Sequence, residues 1–362
     1  MRTCGKLVVL WVGNGNNEPA WAKIISAKNV VLLIQRGVLT QQFSVWENGR
    51  QIFSSPETRI RWQFLDSIFF GFFSSFRLLQ LTLNQRLGKR MDLLIVEGSR
   101  GLMGVFLKRI GLARAVVSIH NDYLPDIGSL AVRLHRRINT TLSDFAAKNS
   151  DEVWRLSPRI LIGKNHPNNF VVPVFLNENK TVRKKVDSII YVGFPSKDHA
   201  LDILFEIAER HNMPLEIVGE SAYLDSIRST APAQTKFHGY ITDSDRIAEI
   251  VAHCFCGYAV YLNTGKHSYS YYGFASKTFH YLSNDVPVVT TSTSFFSEFI
   301  ESKGIGHVVP PEPEAIERAI LDIKTRTEEF SKQIAIFRQE WNSKVGRFFD
   351  YRMAVLLNDA RK

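Results

Sequence analysis

Short apolar runs alternate with longer amphipathic stretches along most of this chain. Runs of about five apolar residues suit the strands of a buried parallel sheet, and amphipathic stretches suit the helices that cover it. In the first half, the predicted strands span residues 7–12, 30–34, 92–96, 115–119 and 152–156. Predicted helices span a stretch around Trp21 and residues 102–110 and 130–148. This alternation predicts an α/β fold of strand–helix units.

A second series of the same kind begins after a polar, basic stretch at residues 177–185, which we interpret as a linker. Its predicted strands span residues 188–192, 215–218, 236–238, 257–262 and 286–290. Its predicted helices span residues 201–211, 244–254 and 313–325, and another begins at Ser276. We therefore expect two doubly wound α/β domains, at residues 1–174 and 175–340, followed by a helical segment at residues 341–362.

Residues 59–91 interrupt this alternation because they are rich in phenylalanine and leucine and carry basic residues towards both ends. The stretch approaches the roughly 20 apolar residues that a membrane span requires. However, Asp66 and Arg77 lie inside it, and each costs roughly 2.5–3.5 kcal/mol at the centre of a membrane helix. Two interpretations fit better: a helix buried in the first domain, or a helix lying in the membrane interface on anionic lipid. One helix can do both with different faces.

The composition is that of a globular protein with a basic excess. The chain has 362 residues, enough for about two domains, and 45 Lys and Arg against 35 Asp and Glu. The net charge of +10 favours anionic partners: nucleic acid, an acidic membrane surface or phosphate-bearing substrates. Three cysteines are too few for a disulfide framework and favour a reducing, cytoplasmic compartment. The N-terminal apolar run suits a first strand better than a signal peptide, because it has no small-residue cleavage site.

The strongest candidate for ligand binding is a small-residue loop that leads into a helix at Ser276. Gly273 lies in the loop, and Lys277 follows Ser276. Free backbone N–H groups at a helix N-terminus attract phosphate, and a lysine adds a full positive charge. Ser276 is also suited to cap the helix. The alternative is an ordinary capped helix with a solvated lysine.

Candidate catalytic residues follow strands of the first domain, where open α/β sheets bind ligands. His120 follows the strand at 115–119, Asp122 lies two residues further on, and Glu97 follows the strand at 92–96. His120 is a candidate sugar contact, Asp122 a candidate general base and Glu97 a candidate acceptor contact. The alternatives are a hydrogen-bonded structural histidine and two solvated loop carboxylates.

Two short motifs have weaker implications. Gly13 and Gly15 allow the backbone to approach a ligand closely, but Glu18 stands where a dinucleotide fingerprint requires its third glycine. Asp243 and Asp245 have the spacing of a metal clamp, but they are better suited to cap the helix that begins there. We therefore expect neither a nicotinamide cofactor nor a bound metal.

The segment from Tyr272 to Val289 resembles the donor-site loop and helix of GT-B glycosyltransferases of the retaining, family-4-like kind, the glycosyl transferases group 1. The likeness rests on the Ser276-Lys277 pair and on the Val286-Pro287-Val288-Val289 strand. Other segments follow in the family's order, at residues 117–120, 150–157, 189–193, 217–219, 237–240 and 304–309. The resemblance implies two Rossmann-like domains facing across a cleft, and a last helix that returns to the first domain.

The resemblance also implies a glycosyltransferase that moves a sugar from a UDP- or GDP-linked donor to a glycan or lipid-linked glycan, without a bound cofactor. We expect a role in bacterial surface polysaccharide biosynthesis at the cytoplasmic face of the membrane. By alignment with the family's motifs, the donor-site candidates are Lys197, Gly219, Glu220, Gly239, Tyr240, Tyr272, Gly273, Ser276, Lys277 and His280. Tyr272 and His280 stand where the family often has two glutamates, and Phe194 stands where it usually has arginine.

Other functions stay open at this point. An inverting transferase would use Asp122 as its base. An inactive glycan- or nucleotide-binding subunit would account for the missing glutamates. Nucleic-acid binding is not favoured, because no recognised module or interleaved basic and aromatic motif accompanies the charge.

Overall fold

A computed structural model describes residues 8–14, 30–36, 43–47, 50–54, 91–98, 101–120, 129–172, 176, 187–241, 243–263, 269–272, 276–292 and 295–359. The chain divides into two units. One unit comprises Met1–Val174 together with Val345–Lys362, and the other comprises Phe175–Lys344. The predicted helix near Trp21, the linker at 177–185 and nearly all of the aromatic stretch at 59–91 lie outside the described residues.

The first unit contains a mixed eight-stranded sheet. Its strands are β1 (Val8–Asn14), β2 (Val30–Arg36), β3 (Phe43–Glu47), β4 (Arg50–Ser54), β5 (Met91–Glu97), β6 (Ala113–His120), β7 (Glu152–Arg155) and β8 (Asn169–Val171). Their order across the sheet is β4-β3-β2-β1-β5-β6-β7-β8. Strands β3 and β4 pair in antiparallel fashion at one edge, and the other six strands pair in parallel with one another.

Two described helices join the parallel strands of this unit. Helix α1 (Gly101–Arg109) joins β5 to β6, and helix α2 (Leu130–Lys148) joins β6 to β7. Residues 93–96 of β5 are buried without interruption, as expected of a strand with both faces covered. A Cβ atom at Gly104 would come within 2.9 Å of Val96 and Val116 side chains, so this glycine lets α1 approach the sheet closely.

The second unit contains a fully parallel six-stranded sheet. Its strands are β9 (Ser188–Val192), β10 (Leu215–Val218), β11 (Thr235–Gly239), β12 (Cys254–Ala259), β13 (Val288–Thr290) and β14 (Gly306–Val308). Their order is β11-β10-β9-β12-β13-β14. The chain therefore builds the sheet outwards from β9 in one direction, then returns beside β9 and builds in the other. This is the strand order of a doubly wound, dinucleotide-binding type of domain.

The described helices of the second unit follow its strands. They are α3 (Leu201–Arg210), α4 (Ala222–Ile227), α5 (Ser244–Ala252), α6 (Tyr269–Tyr272), α7 (Ser276–Ser283), α8 (Ser297–Ser302), α9 (Pro313–Thr325) and α10 (Thr327–Asp359). The prediction of two doubly wound α/β units is confirmed. No helix within the described ranges is both long and apolar enough to cross a membrane.

Some predicted elements differ from the structure. The sequence analysis missed the β3–β4 hairpin, β8 and β14, and it placed β12 at 257–262, three residues too late. Strand β12 begins at Cys254 because α5 already ends at Ala252, and the two free cysteines of this strand are buried in the sheet. The segment at 304–309, interpreted as a turn, contains β14. Gly306 has φ near +157°, and a Cβ there would lie 2.1 Å from the Val288 carbonyl oxygen, so only glycine allows this close pairing.

The C-terminal segment forms one long helix, α10, whose last part belongs to the first unit. Phe348 and Phe349 contact the Trp154 ring edge to face, with ring centroids 6.2 and 5.6 Å apart. The guanidinium of Arg352 pairs with the carboxylate of Glu152 and lies 4.0 Å from the centre of the Phe170 ring. Aromatic packing and a buried ion pair therefore attach this end of α10 to β7 and β8.

Candidate functional site

The strand order of the second unit creates a crevice at the carboxyl ends of β9 and β12. Loops on the two sides of such a switch point leave in opposite directions, and open α/β sheets bind ligands in the gap. The short 3₁₀ turn Lys197–His199 follows β9, and residues 260–263 follow β12. Leu262 N–H donates to the Asp198 carbonyl oxygen (2.8 Å), and Asn263 N–H donates to Asp198 Oδ1 (2.7 Å). These hydrogen bonds thus join the two segments that border the crevice.

The Lys277 ammonium group lies at this crevice, enclosed by aromatic rings. Its Nζ lies 4.3 Å from the centre of the Tyr191 ring and 5.0 Å from that of Tyr261. The residue is 7% exposed, and Nζ has no hydrogen-bond partner among the described residues. Ring faces attract a cation but do not replace hydrogen bonds lost to water. The Lys277 ammonium group is therefore a buried cation whose missing hydrogen-bond partner a ligand anion would supply.

The electrostatics of the crevice reflect this burial. Burial lowers the pKa of Lys277 to about 7, with Asp198 acting weakly in the opposite direction. Burial, followed by the charge of Lys277, lowers the pKa of His199 to about 3. The Ser196 N–H donates to His199 Nδ1 (3.1 Å), which fixes the orientation of the ring. Burial also raises the pKa of Asp198. The His199 imidazole is therefore neutral at neutral pH, whereas Lys277 carries its positive charge fully only below about pH 7.

Glycines occupy the carboxyl ends of three neighbouring strands. Gly193, Gly219 and Gly239 have φ of about +132°, +139° and +70°. Gly219 N–H donates to the Gly239 carbonyl oxygen (2.8 Å), and a Cβ at Gly219 would lie 1.8 Å from the Gly193 carbonyl oxygen. A Cβ at Gly239 would lie 2.7 Å from Glu220 Oε1. Glycine at these positions therefore lets the ends of β9, β10 and β11 pack backbone against backbone, with Gly219 buried and the exposed Glu220 carboxylate next to Gly239.

The remaining predicted donor residues of this unit differ in exposure. Lys197 and Tyr240, which follow β9 and β11, are exposed. Ser276 is the first residue of α7 and is exposed, in contrast to the buried Lys277 beside it. His280 is half-buried one turn further along α7, and burial lowers its pKa. Tyr272 ends α6 with its ring packed against Tyr271. Gly273 lies outside the described residues.

The sequence analysis missed one tyrosine that holds α7 in place. The Val192 N–H donates to the Tyr281 hydroxyl (2.9 Å), and this hydroxyl donates to the Tyr258 carbonyl oxygen (3.1 Å). The ring lies directly over Gly257, where a Cβ would come within 2.3 Å of it. Tyr281 thus connects the helix that carries Lys277 to β9 and β12. The signal in the sequence was the glycine at 257, since a glycine inside a strand often marks close approach by another group.

We expect Tyr281→Phe to lower the free energy of unfolding by about 1–3 kcal/mol, because it leaves a buried backbone N–H without its partner. Urea denaturation followed by circular dichroism measures the change. Tyr351→Phe is the matched control, since Tyr351 is 65% exposed and its loss of a hydroxyl leaves nothing buried unpaired. Equal stabilities of the two variants would contradict the bridging role of Tyr281.

The first unit gathers three predicted residues at one edge of its sheet. Gly13 lies near the end of β1, Glu97 ends β5, and His120 ends β6. Strand β1 pairs with β5, and Glu97 pairs in register with Ile119, next to His120. The carboxyl ends of three adjacent strands therefore carry these candidates. Gly15 and Asp122 lie outside the described residues.

His120 is a buried, neutral histidine. Its ring is 2% exposed, and Ser118 Oγ lies 2.9 Å from its Nε2. Burial lowers its pKa to about 4, although the charge of Asp144 acts in the opposite direction. A neutral imidazole can donate or accept a hydrogen bond at neutral pH, but it cannot supply positive charge. Its chemistry would therefore be that of a hydrogen-bonding contact.

The Asp243 carboxylate caps the start of α5. Asp243 Oδ1 accepts from the backbone N–H groups of Asp245 (2.9 Å) and Arg246 (3.4 Å), which confirms the predicted cap. Across the described residues, no group of three or more histidine, cysteine, aspartate or glutamate side chains is arranged to hold a metal ion.

A cavity of about 670 Å³ opens at the opposite, amino edge of the second sheet. Its walls come from Asp187, Phe255 and residues 324–333. Arg326 in this wall already pairs with Asp322 and Glu329. We assign the ligand site to the carboxyl edge instead, because that edge holds the switch point and the unpaired Lys277.

Part of the chain matches a known protein family. Residues 169–325 match the family model described as Glycosyl transferases group 1. These residues include every described strand and crevice residue of the second unit. A search of curated proteins found no match.

Solved structures similar to this chain include three glycosyltransferase-type proteins of low sequence identity. HepE from Anabaena, solved with UDP and glucose, has a TM-score of 0.65 at 12% identity over 97% of this chain and 100% of its own. The lipopolysaccharide outer core galactosyltransferase WaaB has a TM-score of 0.53 at 12% identity, over 95% and 100%. S. aureus TarM, solved with UDP and alpha-GlcNAc-glycerol, has a TM-score of 0.58 at 13% identity. This chain aligns over 88% of its own length and spans 62% of the length of TarM. At these identities the likeness establishes the fold.

Proposed function

We propose that this chain, whose residues 169–325 match the glycosyl transferases group 1 model and which has the GT-B fold, transfers a sugar from a nucleotide-sugar donor to a glycan or lipid-linked glycan acceptor. The donor diphosphate would bind at the carboxyl edge of the second sheet, at the crevice between β9 and β12. We take the donor to be a UDP- or GDP-sugar, which acts as a substrate and not as a resident cofactor.

The observation that carries this proposal is the unpaired, buried ammonium group of Lys277. In the reaction, the bond between the sugar C1 atom and the diphosphate oxygen breaks, and the bonding electron pair leaves with the diphosphate. The acceptor hydroxyl oxygen forms the new bond to C1 and loses its proton. Preorganised positive groups stabilise the charge that develops on the leaving oxygen. Lys277 and the backbone N–H groups at the start of α7 are placed to do this.

The row of glycines beside Lys277 suits the nucleoside part of the donor. Glycine at 193, 219 and 239 keeps side chains away from the ends of β9, β10 and β11. The Glu220 carboxylate next to Gly239 is an acceptor suited to ribose hydroxyl groups. In the first unit, His120 would offer a neutral hydrogen bond to the transferred sugar, and Glu97 and Gly13 would lie near the acceptor.

We propose a role in bacterial surface polysaccharide biosynthesis at the cytoplasmic face of the membrane. TarM, solved with alpha-GlcNAc-glycerol, and WaaB, a lipopolysaccharide outer core galactosyltransferase, support this acceptor class. The net charge of +10 and the aromatic, basic-flanked stretch at 59–91 support a position on anionic lipid.

A panel of nucleotide sugars tests the donor site of the purified full chain. We expect one UDP- or GDP-sugar to stabilise the protein by about 2.7 kcal/mol when present at 100 times its dissociation constant. Thermal unfolding measures this stabilisation, and release of nucleoside diphosphate with a lipid-linked or glycan acceptor measures turnover. Stabilisation without hydrolysis or transfer would identify an inactive binding subunit. No stabilisation by any nucleotide sugar would refute the donor site.

A further inference from the structure

Helix α2 buries small side chains and exposes large apolar ones. Its residues Ser143, Ala146 and Ala147 are buried against the first unit. Leu130 and Leu134, in contrast, are 76% and 57% exposed. A surface helix of a globular protein normally turns its apolar residues inward. The outward face of α2 therefore has a use other than packing the core of its own unit.

The exposed apolar residues of α2 lie on one side of the helix. At about 100° per residue, Leu130, Leu134, Ile138 and Phe145 fall within an arc of about 80°. Ile138 and Phe145 are 39% and 50% exposed. We call these four residues the apolar stripe. A helix of 19 residues is about 28 Å long, and the stripe runs from its first residue, Leu130, to Phe145 near its end.

Positive charge borders the apolar stripe. The exposed residues Arg133 and Arg137 lie along one side of it, and Lys148 lies at its end in an ion pair with Asp144 (2.9 Å). Asp144 is the only carboxylate of α2. The helix is thus apolar and basic on its outward side, a combination typical of helices that lie on anionic lipid.

The neighbouring helix α1 has the same character. Helices α1 and α2 pack side by side, and successive parallel crossovers place them on the same side of the sheet. Phe106 and Ile110, at the end of α1, are each about half exposed. Arg109 and Lys108 lie beside them in the last turn of the helix, where Lys108 forms an ion pair with Asp151. The apolar and basic surface therefore extends beyond a single helix.

We propose that the apolar stripe of α2 docks on an anionic membrane surface. Its apolar side chains would enter the headgroup region, and the flanking arginines would contact lipid phosphates. A second copy of the chain fits less well, because a twofold interface would bring Arg133 and Arg137 towards their own symmetry mates. The proposal rests on the membrane location proposed above and assigns it to a surface of described residues; it does not depend on the donor site.

Flotation of the full chain with lipid vesicles tests this proposal. We expect binding to vesicles that contain about one-third phosphatidylglycerol, and weaker binding at about 0.5 M salt, where the Debye length is only a few ångströms. The variant Leu134→Gln/Ile138→Gln should lower the partition coefficient at least about tenfold. The variant Arg133→Gln/Arg137→Gln should lower the partition coefficient by about fivefold per arginine on anionic vesicles. On zwitterionic vesicles the partition coefficient should change little.

Ile336→Gln is the matched control, because Ile336 is 53% exposed on α10 in the second unit and lies outside the stripe. It should bind vesicles like the unmodified protein. The proposal is overturned if the unmodified chain does not bind anionic vesicles, or if the Leu134→Gln/Ile138→Gln variant binds as tightly. It is also overturned if, in the absence of lipid, the chain is a dimer that this variant dissociates.

UDP titration separates this proposal from the proposed function. The stripe variants should keep the UDP affinity of the unmodified chain, because their side chains belong to the first unit. Vesicle binding together with absent nucleotide affinity would support the docking surface and refute the donor site. Nucleotide affinity without vesicle binding would support the donor site and refute the docking surface.

Discussion

Replacing Lys277 with methionine is expected to slow sugar transfer about 100- to 1,000-fold, the usual cost of removing one preorganised charge from a transition state. UDP should bind more weakly, with a loss of about 1.5–3 kcal/mol in binding free energy, which is the scale of a lost charge-assisted hydrogen bond. Methionine retains the length of the side chain and its apolar contacts with Tyr191 and Tyr261, so the change isolates the charge. Initial rates and isothermal calorimetry measure the two effects.

The same variant should fold at least as stably as the unmodified protein near pH 7. Burial lowers the pKa of Lys277 from 10.5 to about 7, so between these values the unfolded chain holds more protons than the folded one. The free energy of unfolding of the unliganded protein therefore increases as pH rises from about 7 to 10.5. Below pH 7 the folded protein bears the full free-energy cost of burying the Lys277 ammonium group. Lys277→Met removes this dependence. Urea denaturation at pH 6.5 and pH 9.5 measures it.

Binding of a diphosphate should also take up a proton through Lys277. The ligand's negative charge favours the ammonium form, while Asp198, His199, Tyr191 and Tyr261 surround the group without a hydrogen bond to Nζ. Calorimetry of UDP at about pH 8, where its terminal phosphate is already fully ionised, should give different apparent enthalpies in buffers of different ionisation enthalpy. UDP affinity should fall as pH rises above about 7.

Lys332→Met is the control, since Lys332 is an exposed lysine on α10. It should retain the rate, the UDP affinity and the proton uptake of the unmodified protein. An unchanged UDP dissociation constant in Lys277→Met would contradict the donor-site assignment. Equal proton uptake in Lys277→Met and the unmodified chain would place the titrating group elsewhere.

The sequence predicts several elements of both units well because their pattern is local. Strands β9 and β10 and helices α2 and α9 begin and end where the apolar periodicity places them. The β3–β4 hairpin was missed although Asn48-Gly49 stands between its strands, and this dipeptide is a strong signal for a two-residue hairpin turn. The error came from expecting helices between all strands, which hides an antiparallel edge.

The surroundings of the candidate site depend on contacts between distant parts of the chain. Ser276 and Lys277 are adjacent in sequence, yet one is exposed and the other is enclosed by rings from β9 and from the end of β12. Local pattern cannot show this, because the enclosing residues lie 86 and 16 positions away. In the same way, the sequence shows that α2 is amphipathic, but only the structure shows that Ala146 and Ala147 face inward and Leu134 faces out.

Replacing Arg352 with methionine is expected to lower the free energy of unfolding by about 3–5 kcal/mol, because it leaves the Glu152 carboxylate buried without its counter-charge. Glu152 and Arg352 side chains are 2% and 10% exposed. Glu152 Oε2 also accepts from Trp154 Nε1 (2.8 Å) and from Arg352 Nε (3.3 Å). A single replacement thus breaks a connected buried network at the junction of α10 and β7.

The double variant Glu152→Gln/Arg352→Met should recover most of the loss, since it removes both charges and keeps an acceptor for the Trp154 indole N–H. Urea denaturation gives the stabilities, and hydrogen exchange should locate the loss in the part of α10 after Val345. Arg246→Met is the control: its pair with Glu249 is more than half exposed on each side, so the change should cost at most about 1 kcal/mol. A single variant no less stable than this control would show that α10 is held to the first unit by its aromatic contacts alone.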